Sequence, residues 1–342
     1  MNITFLVGNG FDINLGLKTR YTDFYPVYLN KGHDDILSKS IANNYSNWAD
    51  LEVALGKVLK DVTPGQINEF LDSKGTLEGD LAEYLRLEKC RLAPNCIDPK
   101  AFQNNISNFY KDFTSKDQAD FKTWLSSIRT SISYQFISFN YTDSLDDIVS
   151  LAKIDPSFSG HLSGNTKYSH SIGSVHHVHG TLDKDLILGV NDAQQIQNPL
   201  LQKDARLASY IIKGEVNEAL GEQRTETAKR IIDESDYIGV YGMSIGDTDM
   251  MWWYYLLAWL EKKDSRRLVL YIYTNLNDNP SGQEKLRHIN TWKNIFLSQS
   301  GANEDISQKV RNRIIIVIQS KIFTFSNIGI AEHPPKELPT LA

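Results

Sequence analysis

Phe5-Leu-Val-Gly-Asn-Gly-Phe-Asp12 closes an apolar run that begins at Ile3. A buried strand that turns on glycine into a helix aims backbone N–H groups at whatever lies above the strand end, which suits a phosphate. Gly8 and Gly10 allow a tight turn and a close approach of backbone to ligand. The same turn also serves a strand that only changes direction, and Asp12 has the alternative role of helix N-cap.

Outward from this turn, strands are expected at 134–139, 175–178, 186–190, 237–241, 268–274 and 313–318. Several are continuously apolar, Ile314-Ile-Ile-Val-Ile318 most of all, as in a sheet buried on both faces. Helical patterns at 102–113, 120–131, 200–212, 222–234, 249–262 and 282–296 lie between them. Strands alternating with helices predict an α/β fold, a mostly parallel sheet with helices on both faces. About 125 residues separate the first strand from the second, far more than one crossover helix needs. Residues 21–132 therefore read as a helical insertion or subdomain, with the sheet built from 1–20 and 133–330. Within the insertion, Asn47-Trp-Ala-Asp-Leu-Glu52 reads as a capped helix start with Trp48 and Leu51 turned inward. Residues 155–174, rich in Ser, Gly and Asn, read as a flexible flap, and 331–342, with three prolines, as a loose tail.

The chain has 342 residues, 41% hydrophobic and 23% charged, as in a globular protein with a sizeable core. A net charge of −6 disfavours a general affinity for nucleic acid or an anionic membrane. Cys90 and Cys96 cannot make a disulfide framework or a four-cysteine zinc site, so a cytoplasmic location is expected. The N-terminus has no signal-peptide pattern, and no run approaches the roughly 18 apolar residues that would span a bilayer, so no membrane partner is expected.

Three further segments carry chemistry. In Phe136-Ile-Ser-Phe-Asn-Tyr-Thr-Asp-Ser-Leu145 a strand runs into Asn140 and a helix opens near Ser144. Ligands of α/β sheets sit outside the carboxyl ends of strands, where Asn140 presents an amide. One of Thr142, Asp143 and Ser144 is expected to cap the helix. In Val175-His-His-Val-His-Gly-Thr181, His177 and His179 share one face and His176 takes the other. His179, last before Gly180, is placed to act as a general base near neutral pH. A metal site on His177 and His179 would need a further ligand at no recognisable spacing, so no metal is expected. In Tyr237-Ile-Gly-Val-Tyr-Gly-Met-Ser-Ile-Gly-Asp-Thr-Asp249 a strand again ends at glycine, Gly242. Ser244 suits a phosphate or ribose. Asp247 and Asp249 suit a ribose hydroxyl or a helix cap. Trp252 and Trp253 suit a core more than cofactor stacking.

Gly8-Asn-Gly-Phe-Asp12, Trp48-Ala-Asp-Leu-Glu52, Phe139-Asn-Tyr-Thr142, His177-Val-His-Gly180 and Tyr241-Gly-Met-Ser-Ile-Gly-Asp-Thr-Asp249 together resemble, in order, the abortive-infection AbiH family of bacterial anti-phage proteins. The resemblance implies a role in phage defence, in which infected cells halt or die before phage is released, and a phage-derived trigger. A more distant likeness is to sirtuin-type NAD-binding domains, carried by Gly8 to Gly10, Asn140 and His179-Gly180. It implies a Rossmann-like sheet with His179 and Asn140 flanking the nicotinamide-bearing ribose. The chain departs from that pattern. It lacks the four cysteines of the deacylase zinc module, and Thr142 stands where the motif carries Asp, with Asp143 one residue further on. Cleavage of the nicotinamide–ribose bond by water then replaces deacylation.

The leading expectation is an anti-phage NAD glycohydrolase with Asn140 and His179 as catalytic residues and NAD as substrate. Contacts to the nucleotide are expected from Gly8, Asn9, Gly10, Phe11, Asp12, Thr142, Asp143, Gly242, Ser244, Asp247 and Asp249, gathered around one dinucleotide-sized hollow. The alternatives are a nucleotide-binding sensor or scaffold without hydrolysis, and a metal-dependent nuclease using the histidines. Aromatic surfaces around Trp252 permit a homo-oligomer.

Overall fold

The computed structural model of the protein describes residues 1–93, 97–154, 158, 160–274, 280–325 and 328–335. Cys96 and the tail from 336 onward lie outside them, as do 155–157 and 159 of the expected flap.

Eight strands are present among these residues: β1 (Asn2–Val7), β2 (Ile132–Ser138), β3 (His161–Ser163), β4 (Thr166–Tyr168), β5 (His170–His177), β6 (Ser235–Tyr241), β7 (Arg267–Ile272) and β8 (Ile314–Ile318). Six of them form one sheet in the order β5-β2-β1-β6-β7-β8, and every pairing in it is parallel. Counted along the chain, the strands of this sheet run 3-2-1-4-5-6, so the order reverses between β1 and β6. β3 and β4 make a separate antiparallel hairpin that leads into β5, so the expected flap is largely strand. The strand expected at 186–190 does not form; only Val190 makes an isolated bridge, with Ile212.

The helices are α1 (Gly10–Asn14), α2 (Tyr21–Asn30), α3 (Ile36–Asn43), α4 (Leu51–Val58), α5 (Ile67–Lys89), α6 (Pro99–Ser107) and α7 (Ser115–Ser127) before β2. They continue with α8 (Ser144–Ile154), α9 (Ala205–Ile211), α10 (Lys213–Ala219), α11 (Arg224–Asp233), α12 (Met250–Lys262), α13 (Gly282–Gln299) and α14 (Glu304–Val310). Their starts are written locally. Asp35, Asp50, Thr114, Ser281 and Asn303 each accept the N–H three residues on, satisfying a donor the helix leaves free.

Alternation along the strands divides the sheet's side chains between two cores. Ile3, Phe5, Tyr134, Phe136, Val269 and Ile315 join Phe102, Phe121 and Leu145 of α6, α7 and α8. Leu6, Ile137, Ile238, Leu270 and Ile316 join Ala228, Trp253 and Phe296 of α11, α12 and α13. The sheet is thus buried on both faces, as its continuous apolar runs require. Trp252 and Trp253 belong to that second core, so they offer no surface to a second subunit.

A third core joins α2 to α5, including the inward-facing Trp48 and Leu51, to Tyr141, Leu182, Leu188, Val190 and α9. The interval 21–132 therefore serves two cores. Its first part builds a helical layer against the segments that follow β2 and β5. Its last part, α6 and α7, covers the sheet itself.

The turns after β1 and β6 are fastened together. The Gly8 N–H donates to Tyr241 O and the Gly10 N–H to Gly242 O, each at 2.9 Å. Gly242 has φ +70°, and a Cβ there would lie 2.8 Å from the Gly10 Cα. Gly242→Ala should therefore cost at least about 2 kcal/mol, from the left-handed backbone and the collision together. Gly75, exposed within α5 with open space around it, should gain about 0.5–1 kcal/mol on replacement by Ala. Denaturant midpoints of the two variants check both signs.

Candidate functional site

Outside the carboxyl ends of β1, β6, β7 and β8 lies a cavity of about 1090 Å³. Asn9, Gly10, Gly242 and Ser244, from the two fastened turns, form one wall. Tyr271, Tyr273, Trp292 and Ile295 form an aromatic and apolar wall opposite. Arg20 and Lys321 also line it, and neither side-chain cation has an acidic partner among the described residues. Asn9 fixes the approach of Arg20, because its amide donates to Thr19 O at 2.8 Å while Thr19 Oγ1 donates back to Asn9 Oδ1.

The glycine amides do not cradle an anion, contrary to expectation. Those of Gly8 and Gly10 are spent on the carbonyls of Tyr241 and Gly242, and Phe11 N–H donates to Gly8 O. The glycines are there to let two backbones touch. Phe11 is fully buried in the core beneath the sheet.

Neither Asn140 nor His179 lines the cavity, and the single hollow expected from the sequence is two regions in the structure. Asn140 and His179 are 6% and 8% exposed, on the side of the β1 turn that faces β2 and β5. The Asn140 carboxamide oxygen has no hydrogen-bond partner among the described residues. Beside this strand end Asp12 is buried and accepts from Thr142 Oγ1. Burial raises the Asp12 carboxyl to about 6, although the Thr142 and Ser144 hydroxyls oppose it. Asp12 is no helix cap; Asn9 occupies that position. Asp143 instead pairs with Lys89, which also reaches Asp147 at 3.1 Å.

The histidines take three separate roles. His176 Nε2 meets Arg224 O at 2.7 Å, on the opposite side from His177, as alternation predicts. His177 meets Asn140 O at 3.0 Å through Nδ1 and Asp146 at 2.7 Å through Nε2. Burial opposes its charged form, yet Asp146 and the Asn140 carbonyl prevail and raise its pKa. His179 is shifted the other way, well below the ordinary imidazole value, by burial and by the charge of Lys213.

Around His179 lies a buried ionisable cluster. Lys213 Nζ is 2.6 Å from Glu52 and 3.5 Å from His179 Nε2. The Tyr141 hydroxyl lies 3.3 Å from Glu52 Oε1 and 3.2 Å from Ile187 O, with Tyr21 close enough to act on it electrostatically. Burial raises Glu52 to about 7; Lys213 draws it down, and Asp249 pushes it up. Asp249 precedes α12 but makes no side-chain cap, and its buried Oδ1 has no hydrogen-bond partner among the described residues. Asp247 is exposed, and its backbone carbonyl receives Asn191 and Gln195 at 3.1 and 3.2 Å.

Glu52, Lys213 and Tyr21 were not singled out from the sequence. Glu52 carried a signal, its place in Trp48-Ala-Asp-Leu-Glu52, but that segment read only as a capped helix start. Lys213 follows Ile211 and Ile212 with nothing to mark it.

Fold and site together define an α/β protein in which a cavity opens at the carboxyl ends of a parallel sheet, beside a buried group of acids, histidine and lysine. The sequence model of the family described as bacteriophage abortive infection AbiH matches residues 4–271, which include every segment above except α13, β8 and their surroundings. The chain belongs to that family, and so to the proteins of phage abortive infection. No curated protein matches it. No helix among the described residues is long and apolar enough to cross a membrane.

The raised acids set a pH dependence. A carboxyl whose pKa rises on folding stabilises the fold below its unfolded value, and that gain is lost as pH climbs through the folded value. For Asp12 the window runs from 3.8 to about 6. Urea unfolding of the wild type should therefore lose about 3 kcal/mol across this window from Asp12. Asp12→Asn should flatten that slope; an unchanged slope would place the titration elsewhere.

Proposed function

We propose that the protein serves abortive infection as an NAD-consuming hydrolase, the dinucleotide lying across the switch between β1 and β6. The observation that carries this reading is the cavity's place. Doubly wound sheets hold dinucleotides in the crevice outside the strand ends where the strand order reverses. This is the Rossmann-like, sirtuin-like reading of the sheet. The aromatic wall at Tyr273 and Trp292 suits a nucleobase, and the unpaired Arg20 and Lys321 suit a pyrophosphate. The nicotinamide ribose would then reach past the β1 turn toward Asn140, whose open carboxamide oxygen can align a water. The bond from ribose C1′ to the nicotinamide nitrogen breaks, and its electron pair leaves with neutral nicotinamide. Water adds to C1′, giving ADP-ribose and a proton, which His179 accepts.

A second reading, a nucleotide sensor without turnover, is favoured by one fact: Asn140 and His179 are both buried away from the cavity. Two measurements separate the readings. Arg20→Ala with Lys321→Ala should weaken NAD or ADP-ribose binding by calorimetry about tenfold or more, under either reading. Asn140→Ala or His179→Ala should leave that binding in place and abolish NAD loss, followed by mass spectrometry in phage-infected cells. NAD loss at the wild-type rate in both variants would contradict the hydrolase.

A further inference from the structure

Lys213 Nζ faces His179 Nε2 at 3.5 Å, and the Phe139 ring packs edge-on against the imidazole at 5.5 Å. Lys213 is in turn held by Glu52 at 2.6 Å, with both side chains almost wholly buried. Its backbone is pinned as well, since the Lys213 N–H donates to Val190 O at 2.9 Å. The charged and titratable groups facing the pair come from every neighbouring element: Asp50, Tyr21, Tyr141, His177 and Asp249. A buried ion pair is poor evidence for stability, because taking both charges out of water costs about what their attraction returns. This one contributes something else.

We propose that Lys213 is a lock on the reactive half of the site: anchored by Glu52, its ammonium occupies the place on His179 that a substrate hydroxyl would take. The inference rests on reading His179 as the acid–base partner. It accounts for quiescence, which abortive infection demands of an uninfected cell. Release of Lys213 frees the Nε2 lone pair, and the imidazole becomes a base that can meet the ribose or its water. Lys213 touches no substrate and acts through His179.

The test expresses Lys213→Met, and Glu52→Gln combined with Lys213→Met, in uninfected bacterial cells, with growth and NAD read together. The double variant removes the Glu52 carboxylate that loss of Lys213 would strand, so it carries the test where the single variant does not fold, as judged by thermal melting. The lock predicts arrest of growth without phage, with NAD at least about tenfold lower than in cells carrying the wild type. Arrest with NAD intact would keep the lock and remove the NAD reading. Normal growth and undiminished NAD in folded variants would overturn the lock, while NAD loss on infection of wild-type cells would still uphold the hydrolase. The wild type supplies an independent measurement: ¹⁵N spectra of its imidazoles should show His179 neutral at about pH 6, with Nε2 unprotonated. A ring protonated there, or in the other tautomer, would also overturn the lock.

Discussion

The contact between Gly10 and Gly242 governs the rest of this architecture. Two turns from neighbouring parallel strands normally diverge to opposite faces of a sheet at a switch point, leaving a crevice. Here the backbones meet so closely that no side chain fits between them, and two amide donors bridge the gap. The crevice is thereby divided. On the β6, β7 and β8 side the chain leaves an open cavity with aromatic walls. On the β2 and β5 side the strand ends are roofed by α2 to α5, and the polar groups there are sealed from water.

Sealing has electrostatic consequences. Glu52, Asp12 and Asp249 are all displaced upward, and His179 downward, with burial the leading cause in each case. Each shift favours the neutral form, the expected response of an isolated ionisable group in a poorly hydrated site. His177 departs from the trend because Asp146 and a backbone carbonyl both accept from its ring. Two imidazoles two residues apart are thus prepared for opposite states. Such displaced groups concentrate where proteins do chemistry, although structural ion pairs displace them too. What distinguishes this cluster is its assembly. Glu52, Tyr141, His179 and Asp249 come from four of the five segments that carry the family likeness, and the fold brings them to one place.

The sheet was legible in the sequence because burial on both faces writes an apolar run, and β1, β6, β7 and β8 each carry one, while β2 alternates through Ser133 and Gln135. Leu186-Ile-Leu-Gly-Val190 carries one as well and is no strand. Its apolar side chains serve the helical core, and Leu188 and Val190 pack there beside α9. A short apolar run reports burial without reporting geometry. The start of β5 was missed for the complementary reason. His170-Ser-Ile-Gly-Ser174 lies at the sheet edge, where polar residues and glycine are tolerated, and so it resembles a loop. The positions of Asn140 and His179 beyond the ends of β2 and β5 could be anticipated because strand ends are visible in sequence. Lys213 was not, because its partner Glu52 lies 161 positions away and pairing across that distance leaves no periodic trace.

The division of the crevice is also a connection. Arg20 lines the open cavity, and the next residue, Tyr21, lies near Tyr141 and Glu52 of the sealed cluster. Thr19, before them, is held by Asn9 at the fastened turn. Three consecutive residues therefore touch the joint, the open half and the closed half in turn. On the proposed reading, a ligand charge that draws on the Arg20 guanidinium would act on a backbone whose next side chain lies beside Tyr141, which contacts Glu52 and, through it, Lys213. Coupling of this kind needs no long-range pathway, only an element with two arrangements that both halves bias. The buried ion pair is suited to be that element. Its two charges gain little net stability from staying together, so the contacts that tip it need supply only a modest difference.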